Sequence, residues 1–289
     1  MLSIGIVSCD KWINKLEEDK NLQIALKDIG INANIISWQQ PLDKKYDLLI
    51  LRSIWGYQDH YEEFKKWLFN VNNNNIQILN NVDMVLDNIK KDIQFKILKS
   101  NNIDCIDTKF ITKENLSDAT IEEHAVVKPS ISGSGENTFI ISEDESVKNS
   151  IKKTDVTRIY RPILNDECLL MVQPFIKEIN DGEYSCIFID GKLTHVMLRF
   201  PNIFHDKKRP YLVSDIPKCV YNLARKVEQL EEFKGYLYMR VDMVVVNNES
   251  KIMEVELTDP DLLTKYIEDN QVKKNAINTF ANSIKRRVL

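Results

Sequence analysis

The sequence predicts two fold classes in one chain: an open parallel α/β domain first, then α+β architecture built on antiparallel sheet. Three observations carry this. The first eighty or so residues read strand, helix, strand, strand, helix, the order of a parallel sheet with crossovers. The later half holds two hairpin signals, Asp190-Gly191 and Asn247-Asn248, each between apolar-rich runs. The chain has 289 residues, more than one compact domain usually holds.

Taken in order, Leu2 to Val7 reads as a buried strand. Leu16, Leu22, Ala25, Leu26 and Ile29 fall at helical spacings, and Gly30 supplies the stop. Ala33 to Trp38 is a second strand. Asp47 to Leu51 is a third, nearly all apolar, as a strand covered on both faces should be. Tyr61 to Val71 is an amphipathic helix with Phe64, Trp67 and Leu68 on one side. The asparagine run Asn72 to Asn75 reads as a loop, and Asn88 to Ser100 as one helix. Short strands are expected at Thr108 to Ile111, Ala125 to Lys128 and Thr138 to Ile141, with a helix over Glu143 to Lys152. Leu169 to Ile176 is a strand. Tyr184–Ile189 with Leu193–Leu198, and Tyr236–Val246 with Lys251–Leu257, form the two hairpins. Helices at Val220 to Leu230 and Asn270 to Arg286 complete the reading, and no internal repeat is visible.

Composition narrows the function. Hydrophobic residues at 43% and charged residues at 28% are ordinary for a globular protein. A net charge of -4 with no basic block argues against nucleic acid and anionic membrane as partners. Lys285-Arg286-Arg287 reads as a free basic tail too short to change that. Cys9, Cys105, Cys168, Cys186 and Cys219 are scattered, with neither zinc-knuckle nor disulfide spacing. No apolar run approaches membrane-spanning length and the start lacks a leader pattern, so the expected compartment is the cytoplasm.

Two constellations carry chemistry. Lys128-Pro129-Ser130-Ile131-Ser132-Gly133-Ser134-Gly135 is a strand that delivers a lysine, then a loop of small residues through which backbone N–H groups can approach phosphate. Alone it would read as a flexible polar turn. Asp242 lies on one strand of the last hairpin, and Glu254 and Glu256, two apart and on one face, lie on the other. Three carboxylates on one sheet face repel unless cations intervene, and such oxygen ligands suit Mg²⁺. The plain alternative is a solvated strand face. Arg240, beside Asp242, is expected on the opposite face. His195 and Arg199 share a face of the first hairpin's return strand and, with Glu183, could line a charged pocket.

In series these segments resemble the ATP-grasp superfamily of carboxylate–amine and carboxylate–thiol ligases, over nearly the whole chain. The resemblance implies an N-terminal α/β domain at 1–82, a central lobe at 83–172 and a C-terminal antiparallel-sheet lobe at 173–289, with ATP between the last two. It assigns Lys91, with Lys90 as fallback, and Lys128 to the phosphates, and Ser132, Gly133, Ser134 and Gly135 to a glycine-rich flap. Val172-Gln173-Pro174-Phe175-Ile176 matches the adenine hinge, with Gln173 in place of the usual acid. Glu183 matches the ribose-binding acid. Asp242, Glu254 and Glu256 match the magnesium ligands, with Glu256 where many members have asparagine. Arg240 matches the arginine that steadies the reacting carboxylate, and Arg199 is a second candidate for that task.

A narrower resemblance joins Leu51-Arg52-Ser53-Ile54-Trp55-Gly56-Tyr57, Gly191-x-x-x-His195-x-x-x-Arg199 and Asp259-Pro260-Asp261-Leu262 to a glutathione-synthetase-like subgroup. That subgroup includes the O-ureido-serine cyclo-ligase of cycloserine biosynthesis. It implies substrate contacts at Arg52, Trp55, Tyr57 and His195, although Gly56 stands where aspartate is usual. The activity implied is ATP- and Mg²⁺-dependent ligation of a small carboxylate to a nucleophile through an acyl phosphate, in a family that often forms homodimers. A small-molecule kinase and a catalytically silent nucleotide-binding regulator are the rival readings.

Overall fold

The computed structural model describes residues 2–42, 46–133, 135–200 and 208–288. Ser134 of the expected flap lies outside the described residues.

The N-terminal third is the parallel α/β unit. Strand β1 (Ser3–Ser8), helix α1 (Glu17–Asp28), β2 (Asn32–Ser37), β3 (Leu48–Ser53), α2 (Tyr61–Asn73) and β4 (Gln77–Leu79) give a sheet ordered β2-β1-β3-β4, every pairing parallel. All of β3 is buried. Leu48 and Ile50 pack with Leu22 and Leu26 of α1, and Leu49 and Leu51 with Phe64 and Leu68 of α2. Each such side chain contributes about 1.5–3 kcal/mol on burial, so a two-sided strand anchors the domain. Helix α2 continues through Asn73, two residues into the run read as loop. Asn75, at φ 56°, ends that turn, a conformation asparagine tolerates better than most residues.

The single helix expected over 88–100 is two. Helix α3 (Val82–Ile89) and helix α4 (Lys91–Ser100) are separated by Lys90 in extended conformation, φ -88° and ψ 100°. The apolar spacing runs through both, so periodicity alone could not locate the break.

The central sheet contains β5 (Lys109–Ile111), β6 (Ala125–Pro129), β7 (Phe139–Ile141), β8 (Ser150–Ile151) and β9 (Leu170–Pro174), ordered β5-β9-β6-β7-β8. Its apolar side, including Val127, Leu170 and Tyr160 of the short helix α5 (Val156–Tyr160), is continuous with the α2 side of the first domain. The helix expected over 143–152 is absent. Side chains there bind nearby backbone instead: Ser142 Oγ accepts from the Asp144 N–H at 3.1 Å, and Asp144 Oδ1 from Ser146 at 2.9 Å. Such bonds compete with helix, and Asn149 at φ 55° leads into β8.

The C-terminal sheet contains β10 (Glu183–Ile189), β11 (Lys192–Arg199), β12 (Tyr211–Leu212), β13 (Tyr238–Val246) and β14 (Glu249–Glu256). It is antiparallel and ordered β12-β11-β10-β13-β14. Asn247 and Asn248 turn the last hairpin at φ 51° and 66°, the conformation that this tight turn requires. One face packs Cys186, Phe188, Val241 and Val255 on helix α6 (Lys218–Glu228). At the other, Ile187, Ile189 and Tyr238 meet the first domain and helix α7 (Asn270–Val288). The basic end of α7 is not free: Arg286 and Arg287 both pair with Asp190 of the β10–β11 turn. Among the described residues no helix is long and apolar enough to cross a membrane.

Candidate active site

The acids of the last hairpin share a face because of two features of strand geometry. Register sets Asp242 opposite Glu254, and Arg240 opposite Glu256. Between Asp242 and Met243 the pairing slips by one residue. That bulge lets Ile252 join the α6 core while Glu254, two residues on, faces the other way. Bulges of this kind re-aim side chains beside functional sites.

Arg240 is on the same face as Asp242, not the opposite one. Positions two apart on a strand point together, and Arg240 Nε donates to both Asp242 oxygens at 3.0 Å. Asp242 is fully buried and also accepts from Arg199 at 2.6 Å and Ser185 Oγ at 2.6 Å. Glu183 opens β10 opposite Arg199 and pairs with it at 3.1 Å. Gly182 permits the approach: at φ 114° its Cα lies so near Leu198 that a Cβ there would be 2.7 Å from Leu198 Cγ.

Two lysines face these acids. Lys91, the first residue of α4, reaches Glu254 Oε1 at 3.1 Å and donates to the Ser132 carbonyl at 2.7 Å. Lys90 points elsewhere, to Glu167 at 2.7 Å. Lys128 projects from β6 toward the same cluster: burial holds its ammonium below the usual range, and Lys91 and Arg199 push the same way while Glu254 and Glu183 oppose them. The small-residue loop lies against the first domain. A side chain at Gly133 would run into the Gln58 amide.

The hinge residues follow β9. The Gln173 side chain donates to Thr108 Oγ1 at 2.9 Å and so braces the strand. The Phe175 N–H donates to the His124 carbonyl at 3.1 Å, and the Ile176 carbonyl accepts from Ile179. Of the residues read as substrate contacts, Trp55 is partly exposed and stacks edge-on to Trp12, and Tyr57 is buried against Phe64. Arg52 and His195 line a cavity of about 20 Å³, room for about one water, between α1, α7 and the C-terminal sheet. Arg52 lies over the Tyr238 and Phe280 rings and pairs with Glu18 at 3.4 Å, and His195 Nε2 bonds the Leu262 carbonyl at 2.7 Å.

Comparison with known proteins agrees with this architecture. Residues 4–80 match the family model of the D-cycloserine synthetase DcsG N-terminal domain. The crystal structure of D-cycloserine synthetase DcsG superposes with a TM-score of 0.79 at 17% identity, covering 99% of this chain and 100% of that one. A RimK domain ATP-grasp protein from Sphaerobacter thermophilus superposes at 0.69 and 12% identity, over 97% and 98% of the two chains. The fold is the ATP-grasp fold. The D-alanine–D-alanine ligase B of Clostridium perfringens is 25% identical over 171 residues, 54% of this chain and 52% of that ligase. The chain thus aligns with about half the length of that curated relative.

In this ATP-grasp chain the electrostatics concentrate where the acids and cations meet. Burial drives the Glu183 carboxyl up to about 7, and Asp242 adds to this against Arg199 and Arg240. Burial also raises Glu254, but Lys91, Lys128 and Arg240 overcome it and hold that group at about 2. Glu256 is pushed up by burial and by Glu254. Among the described residues no three acidic, histidine or cysteine side chains gather closely enough to cage a metal by themselves. A hard cation sharing oxygens with a phosphate still fits the donor set, because it would relieve the Glu256–Glu254 repulsion.

These values fix a pH dependence. Glu18 and Glu183 are raised to about 7 in the fold, so their protonated forms favour folding, and that contribution is lost as pH rises from the ordinary carboxylate value through 7. His195, held near 4 by burial, acts oppositely, but only below its ordinary value of 6.5. Between pH 6.5 and 8 the raised acids, with Asp259 pushed the same way by burial and by Glu256, outweigh it. Urea unfolding should therefore give a free energy about 1–2 kcal/mol higher at pH 6.5 than at pH 8. Glu18→Gln should flatten that slope.

Sequence reasoning missed Glu18, which accepts from the Thr264 N–H at 2.6 Å and the Leu262 N–H at 3.2 Å, tying α1 to the loop after β14. It also missed Asn88 and Gln94. Nothing in local spacing marks a side chain whose partner is the backbone of a strand some 160 residues away.

Proposed function

We propose that this chain is an ATP- and Mg²⁺-dependent carboxylate ligase acting in the cytoplasm. It forms an amide-type bond on a small amino-acid-like or peptide substrate through an acyl phosphate. The reading rests on one observation: Lys91, Lys128, Glu183, Arg199, Arg240, Asp242 and Glu254, drawn from helix α4, the central sheet and the C-terminal sheet, converge on one surface. The names of the similar proteins, a D-cycloserine synthetase and a D-alanine–D-alanine ligase, support it.

In this reading Lys91 and Lys128 offset phosphate charge, and the loop at Ser132 to Asn137 covers the phosphates and excludes water. Bound Mg²⁺ would be held by oxygens of Asp242, Glu254 and Glu256 and would supply further charge neutralisation on the phosphates. A substrate carboxylate oxygen bonds to the γ-phosphorus as the bond to the β-phosphate oxygen breaks. An amine then attacks the carbonyl and gives up a proton, and phosphate leaves. Arg240, with Arg199, stabilises the oxyanion formed in that attack.

Thermal melting with ATP or ADP, each with and without Mg²⁺, tests the nucleotide site. A ligand that binds only the folded state must raise the transition once its concentration exceeds its dissociation constant. The expected result is a rise that depends on Mg²⁺, followed by ADP release with a ligated product from paired carboxylates and nucleophiles. No shift at millimolar nucleotide, or ADP release with only a phosphorylated product, would sink the ligase reading.

A further inference from the structure

Strand β14 carries Glu254 and Glu256 and is the last strand of its sheet. Its outer edge should therefore present unpaired peptide groups. At Ile252 the segment 104–106 covers that edge: Ile106 donates to the Ile252 carbonyl at 3.0 Å, and the Ile252 N–H to Asp104 at 2.9 Å. Beside the acids, two carboxamides do so. Gln94 accepts from the Val255 N–H at 2.9 Å and donates to the Val255 carbonyl at 2.6 Å. Asn88 donates to the Val255 carbonyl at 2.7 Å and accepts from the Leu257 N–H at 2.8 Å and Thr258 Oγ1 at 3.2 Å. Both side chains are buried.

A carboxamide offers a donor and an acceptor side by side, as a neighbouring strand would. Asn88 and Gln94 stand three residues before and three after Lys91. The backbone they grip, Val255 and Leu257, alternates with Glu254 and Glu256. A one-residue slip along this edge would move Lys91 by about 3.3 Å relative to the acids, enough to break its 3.1 Å contact with Glu254.

We propose that Asn88 and Gln94 are positioning residues that lock Lys91 in register with the acidic strand, and thereby set the site's affinity for a divalent cation bound with nucleotide. This rests on the ligase reading for the identity of the cation's partner. The clamp itself is independent of that reading.

The test uses Gln94→Met, which keeps the volume and removes both bonds, and Gln94→Glu should the first variant not fold. Phe95→Leu, in α4 and packed against Phe110 of β5, is the control for plain destabilisation. Hydrogen exchange at the Val255 amide reads the clamp, and the Mg²⁺ concentration for half-maximal stabilisation by ATP reads the site. In the wild type Val255 is protected. In Gln94→Met it exchanges freely, and the Mg²⁺ half-point rises about tenfold, the scale expected when support for a metal site is removed. Phe95→Leu lowers the melting temperature and leaves the half-point in place. A folded Gln94 variant with an unprotected Val255 and an unchanged half-point overturns the positioning role. A freely exchanging Val255 in the wild type overturns the clamp. A wild type with no Mg²⁺ response, Val255 being protected, overturns the ligase reading and with it the cation role.

Discussion

Asp242→Asn is expected to remove Mg²⁺-dependent nucleotide binding and to weaken the fold in the same protein. Asp242 is fully buried, with Arg240 and Arg199 at 2.9 and 2.6 Å. Asparagine preserves shape but removes the charge that both guanidinium groups face. Breaking a buried pair in this way costs about 3–5 kcal/mol, because the surviving charge stays desolvated. Arg199 is 27% exposed and can turn toward water, whereas Arg240 is 9% exposed and cannot. The cost should therefore fall near the lower end. Urea unfolding reads the stability, and ADP formation with a turned-over substrate reads the chemistry. Full ADP formation in Asp242→Asn would end the assignment of this acid to the metal.

Lys91→Met should lower nucleotide affinity by about 10–100-fold, since a charge-assisted contact of roughly 1.5–3 kcal/mol is lost. Titration calorimetry with ATP and Mg²⁺ measures it. Lys90→Met is the matched comparison, because Lys90 faces Glu167 and should keep wild-type affinity. Equal losses in both variants would contradict the division of labour between these lysines. Acid unfolding supplies a second sign. Glu254 is held near 2 against its burial by Lys91, Lys128 and Arg240, so it contributes stability above its ordinary value of 4.5 that is lost as pH falls toward 2. Without Lys91 that contribution shrinks, and Lys91→Met should lose less stability than the wild type between pH 4.5 and 3.

Elements whose signal is local were legible. The nearly all-apolar run Asp47 to Leu51 at β3, the Asn247-Asn248 turn and the alternation Glu254-Val255-Glu256-Leu257 each declare themselves within a few residues, and all three stand where expected. The misreadings have physical causes. At 143–152 a helix was expected, but serine and aspartate bonds to local backbone won. The break at Lys90 leaves the apolar period intact and has no signature in it. The expectation for Arg240 failed on strand geometry itself, since residues 240 and 242 must share a face.

By itself the sequence determined the order of the longer strands along the chain, though not β4, β8 or β12, the face shared by Glu254 and Glu256, and the lysine-and-small-residue run from Lys128. These follow from backbone periodicities and turn chemistry that act over a few residues. Only the tertiary structure decided which lysine meets Glu254, that Arg240 and Arg199 neutralise Asp242, and that Arg52 and His195 enclose a cavity of about 20 Å³. It also decided that Asn88 and Gln94 close the edge of β14. Each of these is a pairing of charges or polar groups brought out of water by distant segments. Its energy comes from desolvation and proximity, which no stretch of sequence contains until the chain is folded.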